Sequence, residues 1–395
     1  MNKNALKLAD FYKLSHYKMY PENTLKIYSN LTARKSRIPG VNHIVVFGVQ
    51  YFVLEYIIDY WNKNFFNRPK EEVIGEYKRI VRNTLGGIID TKHIEELWDL
   101  QYMPLEIKAL PEGTLCPIGI PCMTITNTVP HAYWLVNYLE TIISCSVWQA
   151  ITSATIAYEY KKILEHFAKK TTGSVEGVQW QGHDFSMRGM SSLESACLSG
   201  AGHLLSFTGT DTIPAIDFLE QYYAANVEQE LVGSSVPATE HSVMCMGTKT
   251  SEIETFKRLL DLYPTGILSV VSDTWDLWKV VTEYLPILKD EILARDGKLV
   301  IRPDSGNPAD IICGLNTSDD VDQYKISDSE WKGVIELLWD IFGGTINDKG
   351  YKVLDSHIGA IYGDSITMER AVQICQRLEA KGFASTNIVF GIGLA

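Results

Sequence analysis

The feature of this sequence that most constrains its fold is a pattern repeated through the half of the chain that begins near residue 182. Short apolar runs end in a polar residue or a glycine, and helix-like segments separate them. The runs cover residues 267–272, 299–302, 358–362 and 388–390, and the helix-like segments cover residues 274–288, 329–342 and 368–381. Buried strands that alternate with helices are typical of α/β proteins with a parallel sheet. The pattern therefore predicts a parallel barrel or a doubly wound sheet.

The residues that follow these runs are candidates for chemistry, because the active residues of such folds lie at the carboxyl ends of the strands. Asp273, Asp304 and Asp364 each follow a predicted strand, so we expect them to converge at one mouth. Converging carboxylates can bind a divalent metal, hold sugar hydroxyls or act as acids and bases. Aspartate also favours turns for purely local reasons, and that alternative stays open for each of the three.

Two further kinds of strand end suit an anionic ligand. Arg302 and Asp304 are two residues apart, so in a strand their side chains share a face, which suits a ribose that carries phosphate. Gly363, Gly391 and Gly393 allow backbone N–H groups to approach phosphate oxygens closely. We therefore expect a phosphate-bearing ligand at this mouth.

A second dense motif is GHDFSMRGMSS at residues 182–192, which places a histidine, an aspartate, Phe185 and Arg188 within six residues. Charged side chains are rarely buried unless they are paired. An aromatic ring beside a cation suits a flat ligand that also carries phosphate. On these residues alone, a surface turn with a solvated charge pair is an equally good interpretation.

The first 175 residues have a different character. Residues 45–60 predict a strand that leads into a helix, and residues 71–85, 92–102 and 133–170 predict helices. Residues 105–128 alternate and contain Pro–Glu–Gly and Gly–Pro turn signals, which predicts an antiparallel hairpin or meander. We expect an N-terminal α+β domain with a β-rich subdomain at residues 1–175 and a second domain at residues 176–395. The uncharged run 141–158 carries polar residues throughout, which favours a buried helix over a membrane span.

Composition excludes some classes of function. The formal net charge of −12 argues against general nucleic-acid binding, which needs a basic surface. An anionic substrate would have to be bound by local arginines and backbone amides. The seven cysteines form no CxxC pair, so neither a zinc site nor a disulfide framework is indicated. The N-terminus has no apolar leader. We therefore expect reduced thiols and a cytoplasmic location.

Seven blocks of the sequence together resemble the nicotinamide phosphoribosyltransferases, which belong to the type II phosphoribosyltransferases. The blocks are DFYKLSHYKMYP (10–21), GHDFSMRGMSS (182–192), FTGTDT (207–212), SVPATEHS (235–242), SVVSDTWD (269–276), IRPDSGNP (301–308) and YGDS (362–365). They occur in the family's order and cover nearly the whole chain. The resemblance implies a (β/α) barrel-like phosphoribosyltransferase domain with an N-terminal α+β domain. It also implies the reaction of nicotinamide with 5-phosphoribosyl-1-diphosphate to give nicotinamide mononucleotide and diphosphate in NAD salvage.

The same resemblance implies roles for residues at the base end of the site. Phe185 would form one side of an aromatic sandwich around nicotinamide, and Tyr12 from the partner subunit of a homodimer would form the other. Arg188 would lie beside the ring and the substrate phosphate. Asp211 would accept a hydrogen bond from the carboxamide and would disfavour nicotinate, because nicotinate places a carboxylate against a carboxylate. The resemblance leaves His183 as a structural residue.

At the phosphoribosyl end, Arg302 and Asp304 would hold the phosphoribosyl group, and Arg34 would lie near the diphosphate. The ribose and 5-phosphate pocket would be lined by Gly363, Asp364, Gly391 and Gly393. His241 matches the histidine that the family phosphorylates from ATP, and Asp273 would orient it. Mg²⁺ would accompany the diphosphate, and no residue of the chain is singled out as a metal ligand.

The sequence ends at FGIGLA, where members of the family continue, so we expect the barrel domain to be incomplete. This leaves two alternatives to the active enzyme. One is a non-catalytic form that binds ligand or pairs with a longer subunit. The other is a nicotinate phosphoribosyltransferase, which Asp211 disfavours.

Overall fold

The structure, a computed structural model, describes residues 3–87, 89–316 and 326–393. The chain forms two compact units, Met1–Thr155 with Phe218–Ala225 and Ile156–Asp217 with Asn226–Ala395. The domain boundary expected at residues 175/176 lies within the second of these units.

The strands are β1 (Tyr28–Thr32), β2 (His43–Val45), β3 (Leu105–Ala109), β4 (Leu115–Pro117), β5 (Pro121–Asn127), β6 (Gly182–Asp184), β7 (Gly209–Thr210), β8 (Thr265–Val271), β9 (Asp296–Arg302), β10 (Gly344–Ile346), β11 (Lys352–Leu354), β12 (Ile358–Tyr362) and β13 (Ile388–Ile392).

The α-helices are α1 (His16–Met19), α2 (Val49–Phe52), α3 (Lys70–Thr84), α4 (Lys92–Leu100), α5 (Leu135–Tyr138), α6 (Glu140–Thr172), α7 (Leu193–His203), α8 (Ile213–Tyr223), α9 (His241–Met246), α10 (Glu252–Leu262), α11 (Leu277–Lys279), α12 (Leu285–Ile287), α13 (Lys289–Leu293), α14 (Pro308–Cys313), α15 (Asp328–Phe342) and α16 (Met368–Ala380). Residues Val53–Tyr60, Asn62–Phe66 and Val280–Tyr284 are π-helical.

The first unit is built on small antiparallel sheets. Strand β5 pairs with β1 on one side and β3 on the other, and β2 pairs with β4. Helix α2 and the π-helical turns follow β2 directly, which confirms the predicted strand that leads into a helix. The antiparallel strands predicted at residues 105–128 are confirmed as β3, β4 and β5. Buried aromatic rings such as Phe52, Trp61 and Phe65 fill the core of this unit.

The second unit contains a sheet of parallel strands in the order β7–β6–β13–β12–β9–β8. An extended segment, residues 234–239, joins the two outer strands. It bridges Gly209 of β7 through Ser234, and it bridges Ser269 of β8 through Ala238. This segment therefore hydrogen-bonds to both outer strands of the sheet, which forms a parallel half-barrel and agrees with the barrel-like prediction.

The strands of the barrel form where apolar residues are buried on both faces of the sheet, as parallel sheets require. All five residues of β12 are buried, and the core also takes in the apolar face of α16. Thr367 is the N-cap of helix α16: its hydroxyl accepts the Arg370 N–H and so satisfies one of the unpaired donors of the first turn. The predicted apolar runs thus correspond to β8, β9, β12 and β13 within a few residues.

The helix predicted at residues 274–288 starts later than expected. Asp276 accepts a hydrogen bond from the Lys279 N–H and acts as the N-cap of α11, so the helix begins at Leu277. Residues 272–275 therefore remain a loop at the carboxyl end of β8, which leaves Asp273 and Thr274 at the mouth of the barrel.

The uncharged run 141–158 lies within α6. In the described part of the chain, no helix combines the length and the apolar character that crossing a bilayer requires.

Candidate active site

The carboxyl ends of the barrel strands meet at one mouth, which carries most of the residues singled out in the sequence. These are Phe185 at β6, Asp211 after β7, His241 after the segment 234–239, Asp273 after β8, Arg302 and Asp304 at β9, Gly363 and Asp364 after β12, and Gly391 and Gly393 at β13. His183 of β6 and Ser235 of the segment 234–239, which the sequence did not single out for the reaction, lie there as well. The convergence expected from the strand pattern places them on one edge of the sheet.

The Phe185 ring lies on a floor made by two glycines. A Cβ atom at Gly391 would lie 2.4 Å from Cδ2 of Phe185, and one at Gly363 would lie 3.0 Å from Cε2. The Phe185 N–H donates to the Ile392 carbonyl at 3.0 Å, which fixes the backbone of the ring. These glycines therefore make room for an aromatic ring, a role that the sequence reasoning did not assign to them.

Asp211 is held from two directions. Nε2 of His183 lies 2.9 Å from Oδ1 of Asp211, and the Ser235 hydroxyl donates to the same oxygen at 2.5 Å. Burial opposes ionisation of Asp211, but the hydrogen bonds from His183 and Ser235 outweigh it and hold the pKa of this carboxyl below its ordinary value. Both residues therefore bond to the same oxygen, Oδ1, of the Asp211 carboxylate.

A fully buried carboxylate, Asp184, supports this arrangement, and sequence reasoning did not single it out. It accepts hydrogen bonds from the Ser186 N–H at 2.9 Å and from the hydroxyls of Thr210 and Thr212 at 2.8 and 2.7 Å. Its backbone carbonyl also accepts the Asp211 N–H at 3.0 Å. The sequence contained one sign of this contact: in FTGTDT the two threonines that donate to Asp184 lie on either side of Asp211. Asp184 therefore fixes the loop that carries Asp211.

The other side of the mouth gathers two acids and an arginine. Oδ2 of Asp273 accepts the Asp304 N–H at 2.9 Å and also the Ser305 hydroxyl. Nη2 of Arg302 lies 3.3 Å from Oδ2 of Asp304. Burial raises the pKa of Asp304 and neighbouring Asp273 adds to the increase, while Arg302 and His241 oppose it.

Two buried polar atoms on this side have no hydrogen-bond partner among the described residues: Oδ1 of Asp273 and Nε of Arg302. Buried polar groups in folded proteins are nearly always paired. The acceptor and the donor both belong to side chains of the mouth, so this is where an oxygen-rich, charged ligand fits.

His241 opens α9 and is half exposed. Its Nδ1 lies 3.1 Å from the Thr274 hydroxyl, and its Nε2 lies 3.8 Å from Oδ2 of Asp304. The sequence predicted Asp273 as the carboxylate that orients this imidazole. In the structure His241 lies within ion-pair distance of Asp304, while Asp273 accepts from the Asp304 N–H and the Ser305 hydroxyl. The orienting role of Asp273 stays a prediction.

The remaining predicted residues are more exposed. Asp364 accepts a hydrogen bond from the Ser365 hydroxyl at 2.8 Å, and Arg188 lies on the exposed turn Met187–Gly189. In the first unit, Tyr12 is 58% exposed and Arg34 is exposed. Within residues 3–87, 89–316 and 326–393, no three His, Cys, Asp or Glu side chains are grouped so as to hold a metal ion.

Comparison with known proteins agrees with this architecture. The model of the nicotinate phosphoribosyltransferase family matches residues 180–395, and that of the nicotinamide phosphoribosyltransferase N-terminal domain matches residues 4–90. A nicotinamide phosphoribosyltransferase of Acinetobacter baylyi is 51% identical over 99% of this chain and 78% of its own length. One of Mycoplasma pneumoniae is 38% identical over 97% of this chain and 83% of its own.

Solved structures show the same fold at low sequence identity. Human nicotinic acid phosphoribosyltransferase has a TM-score of 0.55 at 16% identity, covering 98% of this chain and 72% of its own. Nicotinate-nucleotide pyrophosphorylase of Pyrococcus furiosus has a TM-score of 0.55 at 14% identity, covering 98% and 71%. The family match over more than half of the chain and the extensive identity to curated relatives lead to one conclusion. The chain belongs to the nicotinate phosphoribosyltransferase family and, within it, groups with the nicotinamide phosphoribosyltransferases.

Proposed function

We propose that this protein transfers the phosphoribosyl group of 5-phosphoribosyl-1-diphosphate to nicotinamide, giving nicotinamide mononucleotide and diphosphate in NAD salvage. The observation that carries the proposal is the division of the barrel mouth. One side holds an aromatic ring and the oriented carboxylate of Asp211, and the other holds Arg302 with Asp273 and Asp304. The first side fits a neutral aromatic amide, and the second fits a phosphorylated sugar.

Base recognition follows from the first side. The pyridine ring stacks on Phe185, and Oδ2 of Asp211 accepts a hydrogen bond from the carboxamide N–H₂. Nicotinate would bring its own carboxylate against Asp211, and like charges in a desolvated site repel strongly. The ionised state of Asp211 therefore favours nicotinamide.

The second side supports the transfer itself. The pyridine nitrogen attacks C1 of the ribose as the bond from C1 to the diphosphate oxygen breaks, and the electron pair of that bond leaves with diphosphate. The ribosyl centre passes through an oxocarbenium-like state, as in glycoside cleavage. Arg302 places positive charge beside the phosphorylated sugar, and the two flanking sites align base and sugar. No protein nucleophile is needed.

Mg²⁺ enters this scheme as a companion of the diphosphate. The ion is usually bound by one or two carboxylates together with substrate phosphates, and the unpartnered Oδ1 of Asp273 is a carboxylate oxygen of that kind. When bound, Mg²⁺ would neutralise charge on the diphosphate. Asp273 and Asp304 are the residues that would hold it, together with the substrate.

His241 is our candidate for phosphorylation by ATP. The Thr274 hydroxyl contacts Nδ1, so in this half-exposed side chain Nε2 is the nitrogen that we expect to accept a phosphoryl group. The enzyme would act as a homodimer in the cytoplasm, with the exposed ring of Tyr12 stacking on nicotinamide bound by the other subunit. Arg188, Arg34, Asp364 and the glycines at 363, 391 and 393 keep the roles that the family implies.

The direct test is formation of mononucleotide by the purified chain with Mg²⁺ and phosphoribosyl diphosphate. Nicotinamide and nicotinate are offered separately, each with and without ATP. We expect turnover of nicotinamide, faster with ATP, and little turnover of nicotinate. Preferential turnover of nicotinate would assign the chain to the other base, and absence of turnover with both bases would overturn the proposal.

The role of Asp211 is tested by Asp211→Asn. The amide keeps the shape of the side chain, removes its negative charge and can donate to a carboxylate. We expect the ratio of kcat/KM for nicotinamide to that for nicotinate to fall by about tenfold or more, measured with both bases in competition. An unchanged ratio would remove Asp211 from base selection.

A further inference from the structure

The orientation of Asp211 depends on a residue that neither the motifs nor the family resemblance singled out for the reaction. We propose that His183 is a positioning residue for base selection: it fixes Oδ1 of Asp211 so that Oδ2 faces the carboxamide of the substrate. The inference rests on the proposed function and names what enforces its choice of base.

The position of the imidazole is set by its neighbours. His183 lies in β6 between β7 and β13, where its backbone is in register with Gly209 on one side and Gly391 on the other. A Cβ at Gly209 would lie 2.5 Å from Nδ1 of His183, so the ring rests directly on that glycine. Its centroid is 5.0 Å from that of Phe185. These contacts direct Nε2 toward Asp211.

The second donor to Asp211 is less constrained. Ser235 lies in the segment 234–239, and its O–H can rotate about the Cβ–Oγ bond. Both donors reach the same carboxylate oxygen, so they act together against rotation of the carboxylate. Without the imidazole, one rotatable hydroxyl would remain, and the carboxylate could turn toward solvent, since the Asp211 side chain is 45% exposed.

His183 contacts both Phe185 and Asp211. The His183 ring packs beside the aromatic platform and donates to the carboxylate, so the distance between the stacking surface and the acceptor is set through it. A base that stacks on Phe185 then meets the acceptor at a fixed place. Losing His183 should therefore weaken recognition of the carboxamide while the phosphoribosyl side is unaffected.

The test compares His183→Leu, which removes the donor, with His183→Gln, whose side-chain amide can donate from a similar position. We expect His183→Leu to raise the KM for nicotinamide about tenfold and to lower the preference over nicotinate by a similar factor. The KM for phosphoribosyl diphosphate should stay within about twofold of wild type. His183→Gln should recover most of the loss.

The matched control is His357→Leu. His357 forms a comparable pair, with Nδ1 2.7 Å from Oδ1 of Asp355, but it precedes β12 and so lies at the amino end of that strand. This variant should change neither KM. If His183→Leu does not fold, as judged by circular dichroism and thermal unfolding, His183→Asn replaces it, because the shorter amide does not reach Asp211.

The outcomes separate the two proposals. If wild type forms no mononucleotide, the proposed function fails, and the inference fails with it. If wild type turns over nicotinamide while folded His183→Leu or His183→Asn keeps its KM and base preference, only the positioning role of His183 is overturned. Equal loss in the Leu and Gln variants would also overturn it, because a general structural role predicts that result.

Discussion

The two sides of the barrel mouth differ in how their polar groups are satisfied. On the base side, the one oxygen of Asp211 receives two donors and the buried Asp184 receives three. On the phosphoribosyl side, Oδ1 of Asp273 and Nε of Arg302 are buried without a partner among the described residues. On the base side the protein itself supplies the hydrogen-bond partners, whereas on the phosphoribosyl side we propose that the bound ligand supplies them.

This difference follows from the ligand that each side is proposed to meet. A neutral amide brings few polar groups and gains most from a site already held in its bound geometry. A diphosphate brings many acceptor oxygens and negative charge, so a cation held ready for it stabilises the bound state. The cost of unpaired buried groups in the free protein is then offset on binding.

The largest expected effect is on the phosphoribosyl side, where buried polar atoms lack partners among the described residues. Replacing Arg302 by alanine removes the cation and leaves Asp304 without its ion-pair partner. We expect kcat/KM for phosphoribosyl diphosphate to fall by about 10²-fold or more, with the KM for nicotinamide much less affected. Steady-state kinetics with each substrate varied in turn would measure this.

The control is Arg377→Ala. Arg377 has the same 15% side-chain exposure as Arg302 and pairs with Asp310 at 2.8 Å, but this pair joins α16 to α14 and is not among the residues of the mouth. This variant should lower the melting temperature and leave both KM values unchanged. Equal kinetic losses in the two variants would show that Arg302 acts through stability alone.

A smaller effect should follow from filling the floor under Phe185. In Gly363→Ala the new methyl group would lie 3.0 Å from the Phe185 ring, so the ring must shift by a few tenths of an ångström. We expect the KM for nicotinamide to rise about threefold to fivefold, because the stacking surface moves relative to Asp211.

Gly75→Ala in helix α3 is the control variant, since a Cβ there meets no atom within 4 Å and the residue is not part of the mouth. It should leave the KM for nicotinamide unchanged. If Gly363→Ala instead raises only the KM for phosphoribosyl diphosphate, Gly363 acts in the phosphoribosyl pocket alone and does not set the position of Phe185.

The smallest expected effect is on the free energy of unfolding and concerns a buried carboxyl group in α10. Glu252, in the first turn of α10, is 2% exposed, and its Oε1 has no partner among the described residues. Burial, with a contribution from the Asp276 carboxylate, raises its pKa to about 7. Because the pKa is higher in the folded than in the unfolded chain, the stabilisation is present at low pH and is lost as pH rises through about 7.

Glu252→Gln should therefore be more stable than wild type at pH 8, by about 1–3 kcal/mol, and the difference should vanish below pH 4.5. Urea unfolding at both pH values would measure it. Glu254→Gln, which changes an exposed carboxylate in the same turn, should show no such dependence. A stability difference that is the same at both pH values would contradict the assignment.

Local patterns were enough to predict that Arg302 and Asp304 lie together on the side of the mouth that we propose binds the phosphoribosyl group. Arg302 and Asp304 are neighbours in sequence, and β8, β9 and β12 are long enough for their burial to be read from composition. The base side depends on contacts between distant segments. His183 and Asp211 meet because β6 pairs with β7, and β7 has only two residues.

The glycine floor under Phe185 likewise requires β6 to pair with β13, whose register no local pattern specifies. The contact between His241 and Asp304 was not predicted for a related reason, since it joins the first residue of α9 to the loop after β9. Contacts between residues close in sequence could be predicted, whereas contacts that depend on strand pairing across the sheet could not.

The position of β13 has a consequence for how the protein is made. This strand comes last in the described chain, yet it lies between β6 and β12, and its pairing with β6 joins residues about 200 positions apart. During synthesis β6 and β7 emerge long before their neighbour exists. The sheet therefore cannot be completed until β13 has left the ribosome, and until then the edges of β6 and β12 can pair with wrong partners. We expect slow folding, late in synthesis, with chaperones protecting those edges.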